Sequence, residues 1–520
     1  MPPLTQLGPP HLPHGTWFTV KGPSGISPRQ ALEMLESELE KQRPEFYLLA
    51  RIDNRVELIF KKTVVKSPNQ RVSRGRVLHA HPSHLGDRLL ITMRLQNAFW
   101  SGDGPQLNWV RESELDNLVH DRKWLKKVSD IPLVEHIQAF RTFVQDLSIL
   151  GYQTGRVEEQ QADIALPKIR NGSGELAYSP TLISEIIGQK WLKAPTVVEV
   201  GIASRSPELA TTLATTLQLA TAKLTNGQCR MVCKSIRPGE THPLNIFMIP
   251  SALDLSVSPA WRNRMVEHES SGLRFNLVNE GTFENARPFA YRNLCLDLLI
   301  QGGAQPWLPI SLPGLSVGMD AGHSHTENRS RWISTLIHKD NALEPEINIE
   351  ETERAEHIPT DTLSRWWPSF AGRDVLVIRD GKVASEFEQI KRYASAGGQT
   401  VVEIPKRPCI VLFRGTVDQP RPAIYGDSLL HPQSGVLLQS STAKESEYGA
   451  PIWVRSVHGN IALQEAAQSI LNLTAIPGQL YNPPRLPAPL YWADAVSKLT
   501  SKDWTSVIGR GFRVQSIIPT

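Results

Sequence analysis

Three aspartates in this chain have the residue type and placement that phosphodiester hydrolysis requires. Asp320 closes the alternating run Leu315-Ser316-Val317-Gly318-Met319-Asp320 and stands before Ala321-Gly322-His323. Asp380 follows 60 residues later, at the end of Val375-Leu376-Val377-Ile378-Arg379-Asp380-Gly381. Asp494 comes 114 residues after that, in Leu490-Tyr491-Trp492-Ala493-Asp494. Two divalent ions about 4 Å apart need several carboxylates converging on a small volume, to share the ions, activate a water and stabilise the leaving oxygen. Oxygen ligands suit Mg²⁺ and Mn²⁺. Each acid alone is weak evidence, because Asp-Gly after a strand is a favoured turn and a helix Asp is usually solvated. Two strand-end acids followed by one helix acid, in that order, carry more weight.

The elements that must place these acids read as alternating strands and helices. Val197–Ile202 is an apolar strand, Ser206-Pro207 caps a helix through Leu224, and Leu244–Pro250 and Phe275–Val278 are further strands. Arg287–Ile300 is helical and runs into Gly302-Gly303-Ala304-Gln305-Pro306-Trp307, a break followed by an aromatic anchor. This alternation predicts a parallel sheet of Rossmann type. It lacks GxGxxG, so a dinucleotide is not supported. Beyond Leu315 the alternation continues, with Arg331–Ile337, Thr400–Ile404 and Cys409–Phe413 as strands and Thr360–Trp367, Ser385–Ala394, Ile461–Leu473 and Leu490–Leu499 as helices.

The first 160 residues differ in texture. Residues 1–15 read as a loose arm, Ser27-Pro28 starts a helix, and Phe46–Ile52 and Val56–Phe60 form a hairpin about Asp53-Asn54-Arg55. Phe60 to Arg76 carries Lys61, Lys62, Lys66, Arg71, Arg74 and Arg76 and no acid. The run is suited to phosphate contacts, and equally to a solvated loop beside the hairpin. His79, His81 and His84 read as loop residues, since no further ligands stand at metal-binding spacings. Asn171-Gly172-Ser173-Gly174 reads as a linker.

Composition bounds the rest. At 520 residues, two to four domains are expected. A net charge of +4 permits a polyanionic partner without demonstrating one. The four cysteines form no CxxC pair and suit a reducing compartment, and no apolar run reaches the roughly 18 residues that span a bilayer, so a cytoplasmic protein is expected.

These residues resemble the MID–PIWI half of a prokaryotic Argonaute. Asn293 to Trp307 is similar to the helix that ends the MID domain, and Val317-Gly318-Met319-Asp320 to the first PIWI strand with its acid. Glu356-His357-Ile358-Pro359 resembles the loop carrying an inserted glutamate, and Arg379-Asp380-Gly381 the family's Arg-Asp-Gly. Leu486-Pro487-Ala488-Pro489-Leu490-Tyr491-Trp492-Ala493-Asp494 resembles its terminal motif. The likeness covers about residues 190–520. It implies an α/β chain divided into an α+β N-terminal region (1–165), a Rossmann-like MID domain (180–308) and an RNase H-like PIWI domain (309–520).

The resemblance further implies a catalytic tetrad of Asp320, Glu356, Asp380 and Asp494, with Mg²⁺ or Mn²⁺ held by Asp320, Asp380 and Asp494. Glu344, Glu346, Glu350, Glu351 and Glu353 crowd the Glu356 position and are expected in a solvated acidic loop. Lys406 would touch backbone phosphate. The partners would be a short guide DNA or RNA and its complementary target, in defence against plasmids or phages. At the guide 5′ end, Trp261 would stack on the first base, Arg264 would replace a missing Lys, and Asn279 falls where Gln is expected. Asp297 and Gln301 occupy the basic positions of the last MID helix. Three readings stay open there: a 5′-phosphate bound through a metal bridged by the Thr520 carboxylate, a 5′-hydroxyl guide, or no guide end. The short N-terminal region implies that the PAZ domain is missing, as in truncated Argonautes that act through an effector protein. A non-cleaving guided sensor and a guide-independent RNase H-like module are therefore the alternatives to a guided nuclease.

Overall fold

The computed structural model describes the chain except for residues 1–11, 23–24, 53–54, 102–107, 111–114, 120, 122–123, 125–130, 205, 237–239, 241, 250–273, 280–287, 325–328, 354–356, 373, 382–385, 406–407, 442–449, 460, 478–484 and 498–520. It divides into two compact units, Met1–Asp163 with Arg407–Ile452, and Ile164–Lys406 with Trp453–Thr520. Arg407–Ile452, which the sequence reading keeps inside the PIWI domain, thus packs with the N-terminal region.

In the first unit, β1 (His14–Gly15) pairs with the strand Leu412–Gly415, in register His14↔Phe413. β2 (Trp17–Val20), β3 (Tyr47–Ile52), β4 (Arg55–Lys66), β5 (Ser73–Leu85) and β6 (Arg88–Ser101) form an antiparallel sheet in the order β3-β4-β5-β6-β2. Helix α1 (Pro28–Gln42) starts as its sequence requires. Ser27 and Gln30 form a reciprocal capping box that satisfies two orphan donors, and Pro28 occupies the first turn, where its missing N–H costs nothing. Its Leu32, Leu35 and Leu39 meet Phe140, Phe143 and Leu147 of α2 (Leu133–Ile149) over Phe18, Leu78 and Leu95 of the sheet.

Two loop readings fail in this unit. His79, His81 and His84 stand on strand β5, opposite Arg94, Thr92 and Leu89 of β6, and not in a loop. The basic run is also strand for most of its length. Arg74 and Arg76 are buried, and Arg76 is spent on Glu135, its Nε 2.8 Å from Oε1. Alternating polar residues on a long ribbon look like a loop when the layer covering them comes from far along the chain.

Glu36 of α1 faces this core, and burial pushes its carboxyl up from the ordinary 4.5 to about 8. The group stays neutral in the folded chain while it ionises in the unfolded one. Its contribution is therefore intact below about 4.5 and is lost as the pH rises through about 8. Glu36→Gln removes this dependence. Thermal unfolding is expected to show the variant gaining on the wild type as pH rises over that window, and the difference levelling off above it.

The second unit opens with the hairpin β7 (Lys168–Asn171) and β8 (Gly174–Ala177). Asn171-Gly172-Ser173-Gly174, expected as a linker, is instead the tight turn between them. A parallel sheet follows in the order β10-β9-β11-β12, from β9 (Val197–Ala203), β10 (Arg230–Ser235), β11 (Leu244–Ile249) and β12 (Arg274–Asn279). Helix α3 (Pro207–Leu224), capped by the Ser206 hydroxyl, and α4 (Pro288–Gln301) accompany it. This is the Rossmann-type arrangement that the alternation predicts. α4 stops at Gly302-Gly303, where Gly303 takes φ 90°, a conformation that a Cβ disfavours. Trp307 is then fully buried, its Nε1–H donating to the Ala475 carbonyl at 2.8 Å.

A second sheet carries Asp320 and Asp380. Its strands β13 (Leu315–Ser324), β14 (Arg329–His338), β15 (Glu346–Glu353), β16 (Val375–Asp380), β17 (Thr400–Ile404) and β18 (Ile452–His458) lie in the order β15-β14-β13-β16-β17-β18. The first three strands are antiparallel neighbours, and β13, β16 and β17 run parallel. Around this sheet stand α5 (Thr360–Trp366), α6 (Phe387–Gly397), α7 (Leu463–Thr474) and α8 (Ala488–Ser497). Among the described residues, no helix is long and apolar enough to cross a membrane.

Candidate active site

Strand β13 sorts its residues by parity. Leu315, Val317 and Met319 enter a core with Trp332, Leu363, Phe370 and Val377. Ser316, Gly318, Asp320 and Gly322 face the other way. On that second face lies α8, close enough that its backbone leaves no space for side chains. A Cβ on Gly318 would stand 2.2 Å from the Pro489 carbonyl carbon, and one on Gly322 would stand 2.3 Å from the Ser497 carbonyl oxygen. The two glycines thus bracket Asp320 and let the helix come down on it.

The contact has a chemical consequence. Asp320 is 3% exposed and Asp494 of α8 is 9% exposed. Ser497, one turn beyond Asp494, places its Oγ 3.1 Å from Asp320 Oδ2 and 2.9 Å from the Asp494 carbonyl oxygen. One hydroxyl therefore ties Asp320, which lies inside β13 and not at its end as the sequence suggested, to the helix that carries the third acid. Asp380 arrives from the neighbouring parallel strand. The register pairs Met319 with Arg379, so Asp320 and Asp380 are the next residues on adjacent strands, on the same face. Among the described residues, no three His, Cys, Asp or Glu side chains are gathered closely enough to hold a metal ion. The all-oxygen character of the three acids suits Mg²⁺ or Mn²⁺. Glu356 lies outside the described residues.

The other face of the strand end is occupied by a buried cation. Arg379 is 6% exposed, its guanidinium carbon 5.6 Å from the Trp332 ring centroid, and its Nη1 donates to the Asp380 carbonyl. Glu386, 3% exposed, accompanies it, with Oε2 3.6 Å from Arg379 Nε.

Four of the glutamates crowding the Glu356 position lie on a strand and not in a loop, three of them exposed. Glu346 to Glu353 are strand β15, and two of its acids are paired with arginines: Glu351 with Arg331 at 2.7 Å and with Arg329 at 3.4 Å, and Glu350 with Arg365. Opposite charges across adjacent strands stabilise a sheet edge, which explains how so acidic a stretch becomes a strand.

Solved structures share this architecture. The Argonaute of Clostridium butyricum, described bound to a guide DNA and a 19-mer target DNA, superposes with a TM-score of 0.71 at 12% identity, over 93% of this chain and 86% of that one. The Argonaute of Marinitoga piezophila, in complex with a 5′-OH guide RNA, gives 0.62 at 13% identity over 92% and 87%. Drosophila Piwi gives 0.65 at 12% identity over 96% and 90%. The fold is that of the Argonautes. No protein-family sequence model matches the chain, and no curated protein sequence matches it.

Within this Argonaute fold the remaining expected residues are placed as follows. Asn279 ends β12 at the carboxyl edge of the parallel sheet, in register with Ile249. Trp261, Arg264, Lys406 and Thr520 lie outside the described residues. On α4, Gln301 is buried and exchanges two hydrogen bonds with Asn276 of β12, at 3.2 and 3.3 Å. Burial raises the Asp297 carboxyl well above the usual range. These two positions thus carry a helix-to-sheet amide pair and a carboxyl biased toward its neutral form. Sequence reasoning missed Ser497 and Glu386. The signal for the α8 contact was present in Gly318 and Gly322, since glycine inside a strand marks a close backbone approach.

Proposed function

We propose that this chain binds a short nucleic-acid guide together with its complementary strand and cuts that strand beside Asp320, Asp380 and Asp494. The observation that carries the reading is the Ser497 contact, which ties the helix bearing Asp494 to Asp320 on β13. Support comes from the likeness to Argonautes described with guide and target strands. Base pairing would supply sequence specificity, with the protein holding backbone and shape. Asp320, Asp380 and Asp494 are the residues that would hold Mg²⁺ or Mn²⁺. Such an ion supplies charge stabilisation and a more acidic bound water. The chain's own part is to seat Asp320 under α8 and to hold its carboxylate in place through the Ser497 hydroxyl.

The second reading is a guided sensor that reports target binding to an effector protein without cutting. Purifying the full chain and extracting its nucleic acid tests what both readings share. A population of short strands of defined length is the expected result, and an absence of short nucleic acid would overturn the guided reading. The 5′ chemistry of those strands then decides between a phosphate and a hydroxyl at the pocket lacking cations at 297 and 301.

A further inference from the structure

Glu386 stands at the start of α6, where Ser, Thr, Asp or Asn would ordinarily cap the helix. Its side chain makes no capping bond. Instead it turns into the protein, where it is 3% exposed. There its two oxygens take different partners. Oε1 accepts the backbone N–H of Ile358. Oε2 lies 3.6 Å from Arg379 Nε, too long for a hydrogen bond but close enough for a charge pair in a buried setting.

The two partners are the reason to single this residue out. Ile358 belongs to the connection between β15 and α5, and it is two residues beyond Glu356 in the sequence. Ile358 is itself buried in the core under β13 and β16. Arg379 immediately precedes Asp380 and donates to the Asp380 carbonyl. A single buried carboxylate therefore ties the residues that lead into α5 to the strand end that carries Asp380. A second, weaker tie runs alongside, with Thr360 Oγ1 3.3 Å from Gln389 Oε1.

We infer that Glu386 is a positioning residue for the active site: through Arg379 it holds the Asp380 strand end in place against Ile358, just ahead of α5. This rests on the cleavage reading above. A purely structural ion pair would serve stability alone and leave the connection indifferent to its loss. A positioning role ties the order of that connection, and the rate of cutting, to this one side chain. Partners that orient such ligands typically change activity or metal affinity about 10- to 100-fold when removed.

The test uses the full chain as wild type, Glu386→Ala and Glu386→Gln. Hydrogen–deuterium exchange reads the clip directly. In Glu386→Ala the Ile358 amide is expected to lose protection, whereas Glu386→Gln, which keeps an oxygen acceptor, retains most of it. Single-turnover cutting of a guided target is expected to fall about 10- to 100-fold in Glu386→Ala, at unchanged target affinity and with more Mn²⁺ needed for half-maximal rate. Unchanged protection at Ile358 in Glu386→Ala overturns the inference. So does a cutting rate equal to that of an active wild type, or an equal fall in rate and in target affinity. A wild type that binds guided target without cutting overturns the cleavage reading, and the exchange result then still decides whether Glu386 clips the connection.

Discussion

Replacing Asp380 by Ala is expected to abolish cutting of a guided target while leaving target binding intact. Asp380 ends β16 one register step beyond the Met319–Arg379 pair, beside Asp320. Losing one carboxylate there removes charge stabilisation of several kcal/mol from the transition state, on the order of a thousandfold in rate. Binding of a paired strand depends on many backbone contacts spread over the chain, so its affinity is expected to change little. Single-turnover kinetics with Mg²⁺ and with Mn²⁺, beside a filter-binding isotherm, separates the two quantities. Undiminished cutting in Asp380→Ala would remove this residue from the site.

Gly318→Ala is expected to be costly for a different reason. The added Cβ would meet the carbonyl carbon and oxygen of Pro489 at 2.2 and 2.3 Å, and the Leu490 nitrogen at 2.5 Å. All three are backbone atoms, which cannot rotate away as a side-chain tip can. Alanine should be mildly favourable in an open strand, because glycine costs about 0.5–1 kcal/mol there. Here the clash wins. Overpacking of a tight contact costs typically about 1–3 kcal/mol and more where backbone must move. As α8 lifts, Asp494 and the Ser497 hydroxyl leave Asp320. The variant should therefore unfold at a lower temperature and cut poorly, and guided binding should suffer less than cutting. An unchanged melting temperature would contradict the seating of α8 on β13.

The sequence made some of this readable. Ser27-Pro28 and Ser206-Pro207 begin α1 and α3, because capping chemistry is local. The alternation of Leu315, Val317 and Met319 predicted a core-facing strand, and that is their face. Asp380 ends its strand and Asp494 lies on a helix, as read, whereas Asp320, read as closing its strand before a Gly-containing turn, lies inside β13, which pairs on to Ser324. What stayed hidden depends on contacts distant in sequence. Ser497 matters only because α8 returns to a strand 177 residues earlier. Glu386 looks like an ordinary helix-start acid until its oxygens are followed to Ile358 and Arg379. Strand Leu412–Gly415 carries no local mark that it will pair with His14–Gly15. The acidic run at Glu346–Glu353 reads as a loop because its arginine partners, Arg329, Arg331 and Arg365, come from other elements.

The central claim is that this chain recognises nucleic acid through a guide. The most direct measurement loads the purified chain with a synthetic guide and compares two targets of equal length and composition, one complementary and one scrambled. Guided recognition predicts that the complementary strand binds and that the scrambled strand stays free at the same concentrations, for a DNA or an RNA guide. Equal binding of the two strands, or binding that does not depend on the guide, would contradict it.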